Sequence, residues 1–292
     1  MTIDLHDLKP ADVQLYLQHF VAPRPIALAS TVDRNGQANL SPFSFFNLFS
    51  SNPPVVIFSP SRRVRDNTIK HTLENVQEVP EVVIGIVTED IVQQTSLASC
   101  EYPRDTDEFR KAGFTPLKAT LVRPPLIKEC RVNMECRVLE IKALGTGGGA
   151  GNLVICEVRC LHIDDNLLDE NGKPDQRRIR HVARLGADWY CVVNESNLFR
   201  VEKPNTQLGI GIDNLPESIR RSEILTGNNL GQLANMHEMP LIDPSFEDEH
   251  LKQIIQYYGL NPVEMEKELH RHARHLLSQG KVKEAWQVLL AG

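Results

Sequence analysis

Short apolar runs separated by turn residues occupy the first two thirds of the chain. "RPIALASTV" carries β-branched residues and follows Pro23 and Pro25, which bar a continuing helix, so it predicts a strand. "DRNGQ" then predicts a hairpin turn, because Asn35-Gly36 tolerates the positive φ that tight turns need. "VVIFSP" and "VVIGIVT" have the unbroken apolar character of strands buried on both faces. "CRVNMECRVLEIKAL" and "NLVICEVRCLHI" alternate as two antiparallel strands of one long hairpin, and a phase slip near Val138 and Leu139 predicts a bulge. The tip of that hairpin, "GTGGGAGN", predicts a flexible loop. Gly145, Gly147 and Ala150 formally satisfy a dinucleotide-binding fingerprint, but that fingerprint needs a helix after it and a strand follows here.

Helical spacing appears in three places. Val13, Leu17 and Phe20 predict an opening helix, and Ile69, Leu73, Val76 and Val79 predict an amphipathic one over "NTIKHTLENVQEV". Asp66, Asn67 and Thr68 are all suitable N-caps for the second. After about Val201 the runs "LPESIRRSEILTG", "SFEDEHLKQIIQYYG" and "NPVEMEKELHRHARHLLSQGKVKEAWQVLL" are helical, separated by Gly, Pro and Asn. The last hairpin has the look of a single helical-repeat unit. The expectation is a mainly β, α+β domain over residues 1–200 and a mostly helical extension over 201–292.

Composition narrows the functions. With 292 residues, 41% hydrophobic, the chain can bury a full core. Its formal net charge of −6 gives no overall attraction for nucleic acid or anionic lipid, and neither is an expected partner. No run is long and apolar enough to span a bilayer, and "MTIDLHDLKPADVQ" carries acids where a secretory signal needs bases. A cytoplasmic location is expected. The six cysteines (Cys100, Cys130, Cys136, Cys156, Cys160, Cys191) form no CxxC pair and sit mostly in apolar runs, so no metal or disulfide role is expected. His270, His272 and His275 read as an exposed helical stripe.

The stretch "SPFSFFNLFSSNPPVVIFSPSRRVRDNT", Ser41 to Thr68, crowds hydroxyls and amides among rings and ends in a basic cluster. A flat ligand with a phosphate would use both. Ser41, Ser44 and Ser59 offer hydroxyls, Arg62, Arg63, Arg65 and Lys70 offer charge, and a helix starting near Asn67 would aim its positive end at an anion.

The run "RPIALASTVDRNGQANLSPFSFFNLFSSNPPVVIFSPSRR" followed by "KHTLENV" resembles the flavin reductase-like family of FMN-binding split-barrel proteins. Its elements are an RPIA-x-x-S-T strand and turn, an N-x-S-P-F-S-F-F-N segment, a strand ending in F-S and a K-x-T-L-x-N helix start. "RLGADWY" is similar to the family's closing segment, so the likeness runs from about Val21 to Arg200. His71 stands where the pattern has aspartate, and the "PSRRVRDNTI" insert before the helix leaves open which cation meets the phosphate. "LGIGIDNLPESIRRSEILTGNNLGQL" is similar to an extension of one subgroup.

The resemblance implies an FMN-binding split β-barrel with a helical C-terminal extension, with FMN (or FAD) held non-covalently at a homodimer interface. It implies that Thr31, Ser41, Ser44, Phe46, Asn47 and Ser59 line the flavin, and that Arg65, Asn67, Lys70 and Thr72 lie near its phosphate. Phe43, Phe45 and Phe49 read as core packing. His181 is the histidine to test beside a nicotinamide. The implied activity is NAD(P)H:flavin oxidoreductase, with NAD(P)H as transient co-substrate and reduced flavin passed to an oxygenase or other acceptor. An electron-transfer flavoprotein with tightly held FMN and no NAD(P)H activity is the alternative. An oxygenase or isomerase-like chemistry in the same fold is a third.

Overall fold

The computed structural model describes residues 1–292 apart from Asp105, Asn205 and Thr206. The chain divides into two compact units, Met1–Leu198 and Phe199–Gly292.

The first unit is built on seven strands: β1 (Ala27–Val32), β2 (Ala38–Phe43), β3 (Phe46–Ser51), β4 (Pro54–Phe58), β5 (Glu81–Ile86), β6 (Val132–Ala143) and β7 (Asn152–Ile163). They pair antiparallel in the order β2-β1-β5-β6-β7-β4-β3. β2 and β3 therefore lie at opposite ends of the sheet, although only Ser44 and Phe45 separate them in sequence. Three residue steps reach at most about 11 Å. The sheet must curl until its two ends nearly meet, forming a barrel that stays open along one seam.

Side-chain alternation gives the curled sheet two cores. Ala27 and Ala29 of β1 face one with Phe58, Val82, Ile84 and Cys136, while Ile26 and Leu28 face another with Leu40, Phe109 and Phe114. A fully buried residue such as Phe58 contributes about 1.5–3 kcal/mol through apolar burial. The expected bulge is present: Glu140 pairs with Ile155 and Val138 with Cys156, so Leu139 has no partner. Arg24, the arginine of the RPIA run, is buried and donates to the carbonyls of Gln18, Val21 and Leu185. It ties the opening helix α1 (Pro10–Phe20) to a small sheet of Arg24–Pro25, Val182–Arg184 and Tyr190–Val192.

Helix α2 spans His71–Glu78 and buries Leu73 and Val76, but it begins later than the periodicity predicts. Asp66, Asn67 and Thr68 do not cap it. Asp66 accepts from the Thr68 amide and hydroxyl, and Asn67 sits in left-handed backbone with its oxygens taken by Arg62. These local bonds compete with the helix and hold residues 66–70 as a loop.

Cys130, Cys136 and Cys156 are buried, Cys160 and Cys191 are half-buried, and Cys100 is exposed; all are free thiols. No helix among the described residues is long and apolar enough to cross a membrane.

The second unit is helical, with α4 (Gly227–Ala234), α5 (Glu249–Tyr258), α6 (Pro262–Ser278) and α7 (Val282–Leu289), taking α3 as Glu108–Ala112 in the first. Leu233, Leu269, Leu277 and Trp286 form its core, and the Trp286 indole donates to the Leu233 carbonyl at 3.2 Å. The histidine stripe of α6 is corrected here. His270 and His272 are buried, held by Ser222 (2.8 Å) and Asp248 (2.9 Å), and His275 is exposed. The i, i+3 and i+7 positions of α6 face the core, which draws both imidazoles inward with them.

Candidate functional site

Beside β2 lies a shallow basin, open to solvent, with a cavity volume of about 30 Å3. That is far below the volume of a pocket that encloses a whole ligand, so the basin suits a single anionic group seated at its mouth. β2 lends Asn39 and Ser41, the loop after β4 lends Arg63, and the start of α2 lends Lys70, His71 and Thr72. Ser99 to Tyr102 and Glu108 close the other side. Thr72 donates to Asn39 at 3.3 Å, so the helix start is pinned to the strand beneath it.

The charges in the basin are unusual. Burial lowers the Lys70 pKa, the neighbouring Arg63 lowers it further, and Glu101 partly opposes both. The Lys70 ammonium also lies 5.5 Å from the centroid of the Phe43 ring. Burial raises the Glu108 pKa, which shifts this carboxyl toward its neutral form. Burial likewise lowers His71. A desolvated cation and a buried acid pushed toward neutrality favour an anionic guest.

Two buried polar atoms nearby have no hydrogen-bond partner: Glu108 Oε2 in the basin wall and Ser61 Oγ in the basic loop. Such atoms are costly unless a ligand or water completes them. Together with the Ser41 and Thr72 hydroxyls and the Arg63 and Lys70 cations, they fit a phosphate joined to a polyhydroxyl chain.

The basic loop is braced from outside. Arg63 donates to Thr68 Oγ1 at 2.9 Å, to the Ile69 carbonyl at 2.8 Å and to Glu101 at 2.9 Å. The glycine-rich tip of the β6–β7 hairpin lies against it. Arg62 N donates to the Ala150 carbonyl at 2.8 Å, Gly149 N to the Arg62 carbonyl at 3.0 Å, and the Asn67 side chain to the Thr146 carbonyl at 3.0 Å. A Cβ at Gly148 would come within 2.9 Å of the Val64 carbonyl oxygen, and one at Gly151 within 2.7 Å of Ser59 Oγ. The tip is thus a packed buttress, where the sequence alone reads as a free loop.

The structure brings Ser41, Lys70 and Thr72 into this basin. Ser44, half-buried, and Phe46 and Asn47 lie instead along the open seam, with Phe46 opposite Phe58 and Asn47 opposite Ile57. The Asn47 side chain accepts from the Leu48 amide at 2.8 Å. Thr31 is fully buried, its hydroxyl accepts from Asn75, and it does not line the basin. Ser59 is buried beneath the glycine tip.

Arg65 and Asn67 turn outward: Arg65 pairs with Asp66 and Glu101 at 72% side-chain exposure, and Asn67 binds Arg62. The insert thus presents Arg63 to the basin rather than Arg65. His181 is half-buried, bridges Thr88 through its backbone and does not line the basin; burial lowers its pKa. Of the rings read as core packing, Phe43 is buried, whereas Phe45 and Phe49 are exposed at 42% and 62%. Phe45 immediately precedes the sheet's terminal strand and Phe49 lies within it, at an edge with no further strand beside it among the described residues.

Asn39, Glu101, Tyr102 and Glu108 are among the basin residues that were not singled out as site residues, and Arg63 was named only as one charge of the basic cluster. Arg63 and Asn39 were within reach, in the basic cluster and in "NLSP". Glu108 follows a non-periodic stretch, and no spacing signals that its carboxyl is buried.

The profile of the flavin reductase like domain family matches residues 20–180 of this chain. An uncharacterized protein of Aquifex aeolicus (strain VF5) is 35% identical over 170 residues, which is 58% of this chain and 84% of that protein. The crystal structure of nitrilotriacetate monooxygenase component B from Bacillus cereus superposes with a TM-score of 0.64 at 26% identity, covering 69% of this chain and 98% of its own. A chain with a split barrel domain from Shewanella frigidimarina NCIMB 400 gives a TM-score of 0.59 at 26% identity, covering 70% of this chain and 99% of its own. The curled seven-stranded sheet is a split barrel.

Proposed function

This chain belongs to the flavin reductase like family, and from that premise we propose that it is an NAD(P)H-dependent flavin reductase whose FMN phosphate occupies the Lys70 basin. The observation that carries the placement is the pairing of two cations, Arg63 and Lys70, with the Ser41 and Thr72 hydroxyls around unpartnered Glu108 Oε2. When bound, the flavin supplies a two-electron acceptor for the hydride of NAD(P)H and a donor to a second acceptor.

The protein's part is to bind and to orient. Arg63 and Lys70 hold the phosphate through charge-assisted hydrogen bonds, and the brace from Thr68, Ile69 and Glu101 fixes Arg63 in advance. Glu108, whose Oε2 has no other partner, bonds a hydroxyl of the ribityl chain. The seam residues Ser44, Phe46 and Asn47 line the ring portion, and Asn47 and neighbouring amides polarise it. FAD would use the same donors through its first phosphate. His181 acts beside the nicotinamide rather than on the flavin phosphate.

The terminal strand β3 leaves Leu48 and Phe49 exposed on an unpaired edge, which supports a homodimer closed over the seam. Reduced flavin would pass to a partner oxygenase or another acceptor, in the cytoplasm.

Anaerobic titration of the FMN-reconstituted protein with NADH and then NADPH tests this reading. Rapid bleaching of the flavin band by either donor supports it and names the donor. Flavin that binds and stays oxidised with both sinks the reductase reading and leaves an electron-carrier flavoprotein.

A further inference from the structure

We propose that Glu135, Cys160 and His162 form a binding site for a zinc-class divalent cation on the β6–β7 hairpin. The donor atoms of the three lie within 4.8 Å of one another. No CxxC spacing announces them, because strand register brings them together. Cys160 pairs directly with Glu135, and His162, two residues on, shares its face. Arg159 is the extra residue of a second bulge, lying between the pairs Val158–Cys136 and Cys160–Glu135. In a regular register Arg159 would pair with Glu135, and Cys160 and His162 would share the core face of Cys156 and Val158; with the bulge, they join Glu135 on the opposite face.

The separations suit a small tetrahedral ion. Cys160 Sγ is 3.7 Å from His162 Nε2, and Nε2 is 2.6 Å from Glu135 Oε1. Ligands around tetrahedral zinc stand about 3.3–3.7 Å apart. The sulfur–nitrogen edge already fits. The nitrogen–oxygen edge opens by less than about 1 Å as its hydrogen bond is exchanged for two metal bonds.

Glu135 is set in place for this. Its side chain is fully buried, Oε1 accepts from Thr120 N at 2.9 Å, and Oε2 accepts from Leu121 N and Val122 N at 2.5 and 3.0 Å. Oε1 also meets His162 Nε2, and Cys160 Sγ lies within 4.8 Å of the pair. Outer hydrogen bonds of this kind hold a ligand in register and raise affinity.

Cys160 and His162 are half-exposed, so an ion can enter and water can fill the fourth position. A thiolate, an imidazole and one carboxylate oxygen select zinc over magnesium or calcium. Binding breaks the Cys160 S–H bond and releases that proton to solvent; the proton that Nε2 shares with Glu135 is also displaced, so that the neutral imidazole carries its one proton on Nδ1 and binds through Nε2. No electron transfer is involved, and the site does not depend on the flavin reading.

The test uses the full chain stripped of metal, titrated with Zn2+ by calorimetry and with Co2+ by absorbance. One Zn2+ per chain is expected, with a Co2+ complex showing a near-ultraviolet thiolate charge-transfer band. Cys160→Ser should abolish the band and weaken Zn2+ binding at least about tenfold, and His162→Gln should weaken it similarly. Cys100→Ser should change neither. Absence of Zn2+ binding to the wild-type chain, or a charge-transfer band that survives Cys160→Ser, overturns the proposal.

Discussion

Lys70 and His181 carry the sharpest residue-scale consequences. Lys70→Ala should weaken FMN binding roughly 10–100-fold, since a hydrogen bond to a charged group contributes about 1.5–3 kcal/mol, while thermal unfolding shows no loss of stability. Because burial and Arg63 lower the Lys70 pKa from 10.5, the wild-type chain should lose FMN affinity as pH rises toward 10.5, at lower pH than an ordinary lysine would give. Lys70→Arg should hold its affinity across that range. His181→Ala should slow flavin reduction by NAD(P)H while leaving FMN affinity unchanged, as stopped-flow absorbance and a binding titration would show. Burial lowers the His181 pKa from 6.5, so the native state favours the neutral ring. Its contribution to stability is complete above about 6.5 and is lost as pH falls through the lower native value. His181→Gln should flatten that acid arm in urea unfolding between about pH 7 and 5. Ser41, Lys70 and Thr72 were legible because the serine-rich stretch, its basic cluster and the resemblance at the helix start mark them. Glu108 was not, because nothing local in "DEFRKAG" reveals that its carboxyl is buried.

Elements were legible where one periodicity acted alone, and less so where side chains competed with it. The alternation of β6 and β7 gave both strands and the Leu139 bulge. The start of α2 was misplaced because Asp66, Asn67 and Thr68 have the chemistry of caps but spend it on Arg62, Arg65 and one another. The glycine-rich tip misled in a related way, since its glycines are there for close approach as well as for turning. Gly148→Ala should therefore push the tip off the basic loop, costing about 1–3 kcal/mol in chemical unfolding and weakening FMN binding. A Cβ at Gly147 meets nothing within 4 Å, so Gly147→Ala should be close to neutral in both measurements.

At the scale of the molecule, the strand order explains why residues from the serine-rich stretch divide between two places. Ser41 lies on one terminal strand, Asn47 on the other, and only the curl of the sheet brings the two ends together. Hydrophobic runs predict the strands but not the order in which they pair, so the seam could be foreseen only through resemblance. The exposed edge of β3 predicts self-association: Phe49→Glu should shift the chain toward monomer in sedimentation velocity and lower its flavin affinity. The central claim is that the basin of Lys70 and Arg63 holds a flavin phosphate. Its most direct test is titration of the wild-type, Lys70→Ala and Arg65→Ala chains with FMN and with riboflavin, followed by flavin fluorescence. The wild-type chain should bind FMN far more tightly than riboflavin, Lys70→Ala should bring FMN roughly 10–100-fold closer to the riboflavin level, and Arg65→Ala should leave it tight. Equal affinity of the wild-type chain for FMN and riboflavin, or undiminished FMN binding by Lys70→Ala, would contradict it.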